Sequence, residues 1–397
     1  MATPTDPDNL HPELLQETFD AIHDTGVEAV VAEVRYGDET WSSAAGDRNL
    51  TGFAPAEPTD RVRVASVTKS MISTVVLQLE AEGHFDLEDT VEEHLPSLLP
   101  YEEDITLRQL LQHTSGLGEY LNYIHGEVFA DEDWDQLNYD KLNRVYPDEH
   151  ISLVTQDPLH FEPGTDWLYS NTGYTVLGLL IEEVTGTNLS AVLEERIFQP
   201  VGMTDTYLPW PHESIIVGDH LGAYFATGDE EAPFIDMTFM SFSQWWAAGG
   251  VVSTMGDVNE FFRATADGTL LTEEQYADAT DPTGEQGEEY GYGLGYWNAN
   301  YGCPSLPDGI AVGHTGDGLG HHTLSMHSPD GERQFTVTHN VDVRYGPYEE
   351  VAETVANFGV HALCSDDIND IDVEGLAAEL INEIAAATEA SPMGPAS

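Results

Sequence analysis

Basic residues are almost missing from this sequence. Of 397 residues, 12 are Lys or Arg and 72 are Asp or Glu, a formal net charge of −60. Only Lys69 and Lys141 are lysines. A chain this negative repels phosphate backbones and anionic membrane surfaces, which excludes nucleic-acid binding through a basic patch and electrostatic docking on acidic lipid. Cysteine is equally scarce, with Cys303 and Cys364 alone. They are either free thiols or one bridge, and a bridge would close a loop of about 60 residues, worth about 4 kcal/mol on the chain-entropy model. Two cysteines do not fix a redox compartment. No apolar run approaches the ~18 residues of a membrane-spanning helix. Met1 to Leu15 is polar and lacks a signal-peptide core. The expected location is outside the cytoplasmic membrane, as a mature form without its leader, with a cytoplasmic protein as the alternative.

What is present suffices for a packed protein. Hydrophobic residues make up 41% and aromatic residues 10%, so a wholly disordered chain is excluded. At about 150 residues per domain, the length matches two to three domains or one composite domain with an insertion. Abundant carboxylate with hardly any lysine fits a halophilic protein with an acidic surface, because the Debye length in molar salt falls to about 3 Å. An engineered acidic surface would share this composition.

Periodicity places the elements. His11–Thr25 reads as a helix with Leu14, Leu15, Phe19 and Ile22 on one face, and 29–35 with 39–43 as a strand pair around Gly37-Asp38. From Ser66 to Gly83 the pattern is helical, with Met71, Val75 and Leu79 on one stripe. Between 86 and 285 the chain is loop-rich, with helices expected at 106–112, 172–185, 189–197 and 256–265. Strands return at 309–314, 322–327 and 334–340, and a long helix covers about 348–363. The expected architecture is an α+β fold. Residues 1–85 and 285–364 form an α/β domain with an antiparallel sheet, 86–284 an inserted mainly helical region, and 365–397 an acidic tail.

Three short motifs carry chemistry. In Ser66-Val-Thr-Lys69 a helical start puts the hydroxyl and the amine on one face, three residues apart. A serine hydroxyl needs a base, and lysine serves only when neutral, as desolvation permits. Tyr169-Ser-Asn171 supplies a phenol able to pass a proton and an amide able to hold a lysine or a carbonyl. Gly313-His-Thr-Gly316 offers strand backbone to an extended substrate and a hydroxyl beside it. Each has an ordinary structural reading: a capped helix with a solvated lysine, an N-cap beside a core tyrosine, a strand end. Against that, 20 serines in 397 residues place Ser three positions before a given lysine about one time in twenty, and one of only two lysines has it.

Together, in this order, the three motifs resemble the penicillin-recognising serine hydrolases. They are most similar to the soluble D-alanyl-D-alanine carboxypeptidase branch that shares its fold with class C β-lactamases. The likeness runs from about Asp60 to Cys364 and includes Leu110-Leu-Gln-His-Thr-Ser-Gly-Leu117, Phe161-Glu-Pro-Gly164, Ala248-Gly-Gly250 and Tyr290-Gly-Tyr-Gly-Leu-Gly295. The resemblance implies a β-lactamase/transpeptidase-like fold and a catalytic set of Ser66, Lys69 and Tyr169. It implies substrate positioning by Asn171, His314 and Thr315, and an oxyanion hole from the Ser66 and Asp317 N–H groups. It also implies a Cys303–Cys364 disulfide and no cofactor. The implied activity is D-alanyl-D-alanine carboxypeptidase-like hydrolysis with β-lactam binding. A D-aminopeptidase, amidase or esterase is the alternative within the family, and a non-turning-over sensor the alternative outside enzymes.

Two departures bear on substrate. The carboxypeptidase branch holds a terminal carboxylate with an arginine in the strand before His-Thr-Gly, whereas Tyr296–Tyr301 contains no cation, leaving Arg63 or Arg344 as replacements. Asp317 stands where the family often has Thr or Ser, and a carboxylate 4 Å from an anionic group would cost about 4 kcal/mol at an effective dielectric of 20. It would suit an ammonium or a neutral substrate. His314, where relatives often carry Lys, would supply positive potential or pass a proton. The cluster His314, His321, His322 and His327 reads as alternating strand positions rather than a metal site. The Asp131-x-Asp133-x-Asp135 run lacks the glycine and final glutamate of a calcium loop. If the charge is salt adaptation, far-ultraviolet circular dichroism will show loss of fold on dilution from about 2 M salt into dilute buffer; full stability in dilute buffer contradicts it.

Overall fold

The apolar run AVVAEVRY becomes the inner strand of a hairpin in the computed structural model. That structure describes residues 10–229, 232–282, 291–343 and 348–365, with 368, 371–373, 375–378 and 380 beyond them. Strand β1 (Ala29–Tyr36) pairs antiparallel with β2 (Glu39–Gly46) on one side. Strands β3 (Trp297–Asn300), β4 (Ile310–Asp317), β5 (His322–His327) and β6 (Arg333–His339) come from the far end of the chain. The six strands lie in the order β2-β1-β6-β5-β4-β3, every neighbour antiparallel.

Both faces of the sheet are covered, which is why β1 reads as a nearly continuous apolar run. Val30, Ala32 and Val34 face helices α1 (Pro12–Asp24) and α5 (Tyr348–Leu363), in a cluster with Leu15, Phe19, Ile22 and Phe358. Ala29 and Val31 point the other way, into a second cluster shared with Met255, Val258 and Phe262 of α4 (Met255–Ala266). Successive strand residues alternate faces, so one strand serves two cores.

Helix α2 (Thr68–Ala81) is buried from Thr68 to Leu77, more completely than its apolar stripe implied. Its polar positions are satisfied internally: Ser70 donates to the Gly295 carbonyl at 2.7 Å, and Thr74 Oγ1 lies 2.9 Å from the Tyr296 hydroxyl. Helix α3 (Asn171–Thr185) runs beside it, capped by Ser170 and closed by Gly186 at φ +64°. Asn171 is therefore the first helical residue, not the cap.

The middle of the chain holds more helix than periodicity showed. Tyr120–Ala130, Trp134–Asp140, Pro147–Val154 and Glu273–Thr280 are helical. They are short, so their stability comes from side-chain caps and packing rather than from an amphipathic pattern. Glu119, Asp133 and Thr272 accept backbone N–H groups of Leu121, Gln136 and Gln275. Asp133, from the calcium-like run, is thus a helix cap. The helix expected over 189–197 is α-helical over Leu189–Leu193 and widens into a π-turn over Glu194–Phe198. Arg344 and most of the 365–397 tail lie outside the described residues.

Cys303 and Cys364 are bonded, tying the segment after β3 to the end of α5 with their Cα atoms 5.4 Å apart. The bridge spans a sequence separation of 61. Replacing both with serine should lower the unfolding free energy by about 4 kcal/mol on the chain-entropy model, read from urea midpoints. An unchanged midpoint would mean that α5 is held by packing alone.

Candidate active site

Ser66 sits in a 3₁₀ turn, Ala65–Val67, immediately ahead of α2. Ala65 has φ +46°, a left-handed conformation that L residues adopt at a cost. The turn is pressed against β4: a Cβ added to Gly316 would lie 2.2 Å from the Val64 carbonyl oxygen, so only glycine lets the strand approach. Strand β3 pairs with β4 over Ile310–Gly313 only. From His314 to Asp317 the same edge of β4 is left for the Ser66 turn.

The second residue of α2, Lys69, is fully buried. Its Nζ lies 3.0 Å from Ser66 Oγ, 2.6 Å from Asn171 Oδ1 and 2.7 Å from the Ala248 carbonyl oxygen. Two of these three are acceptors only. A neutral amine therefore spends its two N–H groups on Asn171 and Ala248 and turns its lone pair to the serine hydroxyl. Burial drives the lysine down to about 7, with Glu119 and Asp317 opposing through their charges. The Tyr169 ring lies under the amine at 4.7 Å, with its side chain beside Ser66. Burial keeps that phenol well above its ordinary range, hence protonated.

Asn171 is itself oriented. Glu119, buried, accepts the Asn171 backbone N–H at 2.6 Å and lies beside the amide whose oxygen meets Lys69. Burial raises the Glu119 carboxyl to about 7, against hydrogen bonds from Leu121 and Asn171 and the charge of Lys69. Sequence reasoning missed Glu119. Its signal was one carboxylate between Leu117 and the Tyr120-Leu121 pair, in an otherwise apolar stretch.

Residues 15–358 match the model described as Beta-lactamase. The chain belongs to the beta-lactamase family. It is a hydrolase of the serine type, with a β-lactamase/transpeptidase-like fold. Among solved structures it is similar to a D-stereospecific amidohydrolase from Streptomyces sp., with a TM-score of 0.75 and 30% identity, covering 89% of this chain and 99% of that one. It is 26% identical to Penicillin-binding protein 4* of Bacillus subtilis (strain 168) over 326 residues, 80% of this chain and 68% of that protein. Esterase EstB of Burkholderia gladioli is 34% identical over 187 residues, 45% of this chain and 46% of that one.

Around the core of this family site, several expected roles change. His314 is buried, with Nδ1 donating to the Thr315 carbonyl at 2.5 Å and Nε2 facing the Tyr292 hydroxyl at 3.1 Å. Burial, and then the charge of Lys69, lower it to about 3, so it supplies no positive potential. Thr315 and Asp317 alternate with it, their side chains half-buried. Arg63 does not replace the missing cation: its guanidinium is buried and donates to the Met237 and Thr238 carbonyls. Nor are the histidines gathered, since His321 bridges the Arg63 N–H and the Gly222 carbonyl, and His327 bonds Ser328.

Asp317 is not the bare carboxylate expected from its position. His322, its antiparallel partner on β5, places Nδ1 2.6 Å from Asp317 Oδ1 and Nε2 3.5 Å from buried Asp342, and stacks on His339 at 5.1 Å. Burial alone would lower His322; Asp342 and Asp317 outweigh it and raise it to about 9. Below that pH one positive charge on His322 is shared between two carboxylates, Asp317 and Asp342. A group raised in the folded state stabilises fully below its unfolded pKa, about 6.5, and the contribution is lost as pH rises through about 9. Thermal melts of the native protein and His322→Gln should thus converge between about pH 6.5 and 9. Parallel pH curves for the two would show that His322 carries no charge.

Proposed function

We propose that this chain hydrolyses amides and esters of D-configured acyl donors through an acyl-enzyme at Ser66. The observation that carries the reading is the buried lysine, 3.0 Å from Ser66 Oγ, whose other two contacts accept hydrogen bonds and cannot donate them. As Ser66 Oγ attacks the carbonyl, its proton passes to Lys69 Nζ, while the Ser66 and Asp317 N–H groups hold the developing oxyanion. The proton then moves through the Tyr169 hydroxyl to the leaving nitrogen or oxygen as that bond breaks. Water enters, gives its proton back along the same route, attacks the ester, and Ser66 recovers its hydrogen as the acid departs. Asn171 and Thr315 position the substrate amide.

The substrate class rests on charge. Strand Trp297–Asn300 presents no cation, and Arg63 is committed elsewhere, so no described residue in these places holds a terminal carboxylate as the carboxypeptidase reading requires. The half-buried Asp317 carboxylate suits an α-ammonium or a neutral group. Likeness to the Streptomyces D-stereospecific amidohydrolase supports the same choice. The second reading, D-alanyl-D-alanine carboxypeptidase with covalent β-lactam binding, is supported by the likeness to Penicillin-binding protein 4*.

A panel of D-aminoacyl amide, neutral ester and D-Ala-D-Ala peptide separates them. Turnover of the first two exceeding the peptide supports the amidase reading, while preference for the peptide, with a stable cephalosporin adduct by intact mass, supports the carboxypeptidase. Ser66→Ala should abolish turnover of all three. Because Lys69 must be neutral and is held at about 7, kcat/KM should fall about tenfold per pH unit below 7. A flat profile between pH 5 and 8 would remove Lys69 as the base.

A further inference from the structure

His113 is buried behind Tyr169, in the Leu110–Leu117 segment that no step above uses. Its carbonyl oxygen accepts the Leu168 N–H at 2.9 Å. Its ring Nδ1 lies 3.1 Å from the Ser170 backbone nitrogen, which donates to it. The two bonds bracket Tyr169 on either side. Between them the imidazole lies against the phenol ring, centroids 4.2 Å apart and 34° between planes. A backbone N–H can only donate, so Nδ1 carries no proton and the ring is neutral with its hydrogen on Nε2. Burial, with Lys69 and His314 nearby, disfavours the charged form in the same direction.

Two features argue that this residue does more than fill space. His113 has φ +63°, a left-handed conformation costly for a side chain of this size. Its Nε2 is buried without a hydrogen-bond partner among the described residues, a cost that an apolar ring of similar volume would avoid. Both costs are kept where the chain needs one acceptor and one flat surface. Ser170, the residue clamped on the far side, is also fixed by donating to the Gly118 carbonyl at 3.0 Å. The phenol is thus seated by its neighbours' backbone rather than by its own hydroxyl.

We infer that His113 is a positioning residue for Tyr169, holding the phenol in line with Ser66 and the leaving group through paired bonds to residues 168 and 170. The inference rests on the proposed role of Tyr169. A mispositioned proton donor slows chemistry more than binding, so His113→Phe, which keeps a ring but no acceptor, should lower kcat about ten- to a hundredfold with KM within about twofold. His113→Asn, which tolerates positive φ and restores an acceptor, should recover kcat to within about threefold of the native enzyme.

The decisive measurement is a double-mutant cycle on a neutral ester with Tyr169→Phe. If His113 acts through the phenol, His113→Phe costs little more in the Tyr169→Phe background; an equal loss in both backgrounds, or no rescue by His113→Asn, overturns the inference. Should His113→Phe fail to fold, His113→Gln, with its amide oxygen one methylene out of place, enters the same cycle with the same two outcomes. Retained turnover in Ser66→Ala would instead sink the acyl-enzyme reading. Loss in Ser66→Ala and Tyr169→Phe, with His113→Phe unaffected, would sink this inference alone.

Discussion

An amine leaves water only where something else takes its hydrogens, and Lys69 has been given two acceptors that cannot return a proton, Asn171 Oδ1 and the Ala248 carbonyl. The third direction holds Ser66 Oγ. Because burial disfavours the ammonium form, this arrangement converts an ordinary lysine into a base near neutral pH. Much of the surrounding fold follows from that requirement. Helix α2 has to be buried nearly all round, since one solvated face at Lys69 would restore the usual lysine. Helix α3, the Trp246–Gly249 turn and the Leu189–Phe198 segment pack against it.

Orientation comes from residues one step removed. The Asn171 amide presents its oxygen to Lys69, and Glu119 fixes the residue by accepting its backbone N–H. Glu119 is positioned in turn as the cap of Tyr120–Ala130, accepting the Leu121 N–H. A helix start in the middle of the chain thereby sets the direction of a hydrogen bond at the reaction centre. The approach of β4 to the Ser66 turn depends likewise on a missing side chain, at Gly316.

How much of this the sequence disclosed depends on the range of the interaction. Ser66 and Lys69 are one helical turn apart, so their meeting is a local fact that spacing encodes. The hairpin of β1 and β2 and the helix α5 were legible for the same reason, through short-range periodicity. Asn171 and Lys69 are 102 positions apart, and only the resemblance to a family joined them. Glu119, His113 and His322 act across strands or between segments, where one residue's type says little about its partner. The helices from Tyr120 to Val154 stayed hidden because caps and packing, not amphipathic repeats, hold them. His314 and Asp317 show the same limit in electrostatics, since burial sets the charge of the first and the second is paired with His322, which no motif names.

The net charge of −60 belongs to the whole chain and does not describe the groups around Lys69. Lys69 and Glu119 are both drawn to about 7, so whether the proton rests on the amine or the carboxyl, the pair sums to zero. Asp317 and Asp342 share the one positive charge of His322, and His314 is uncharged. A substrate entering this cleft meets local dipoles and half-buried carboxylate edges rather than a field of one sign. That environment stabilises charge that appears during acyl transfer more than charge the substrate brings with it, because only the former develops against groups already fixed in place. The amides and esters proposed as substrates become anionic only at the tetrahedral stage, which is the charge such a site is placed to meet.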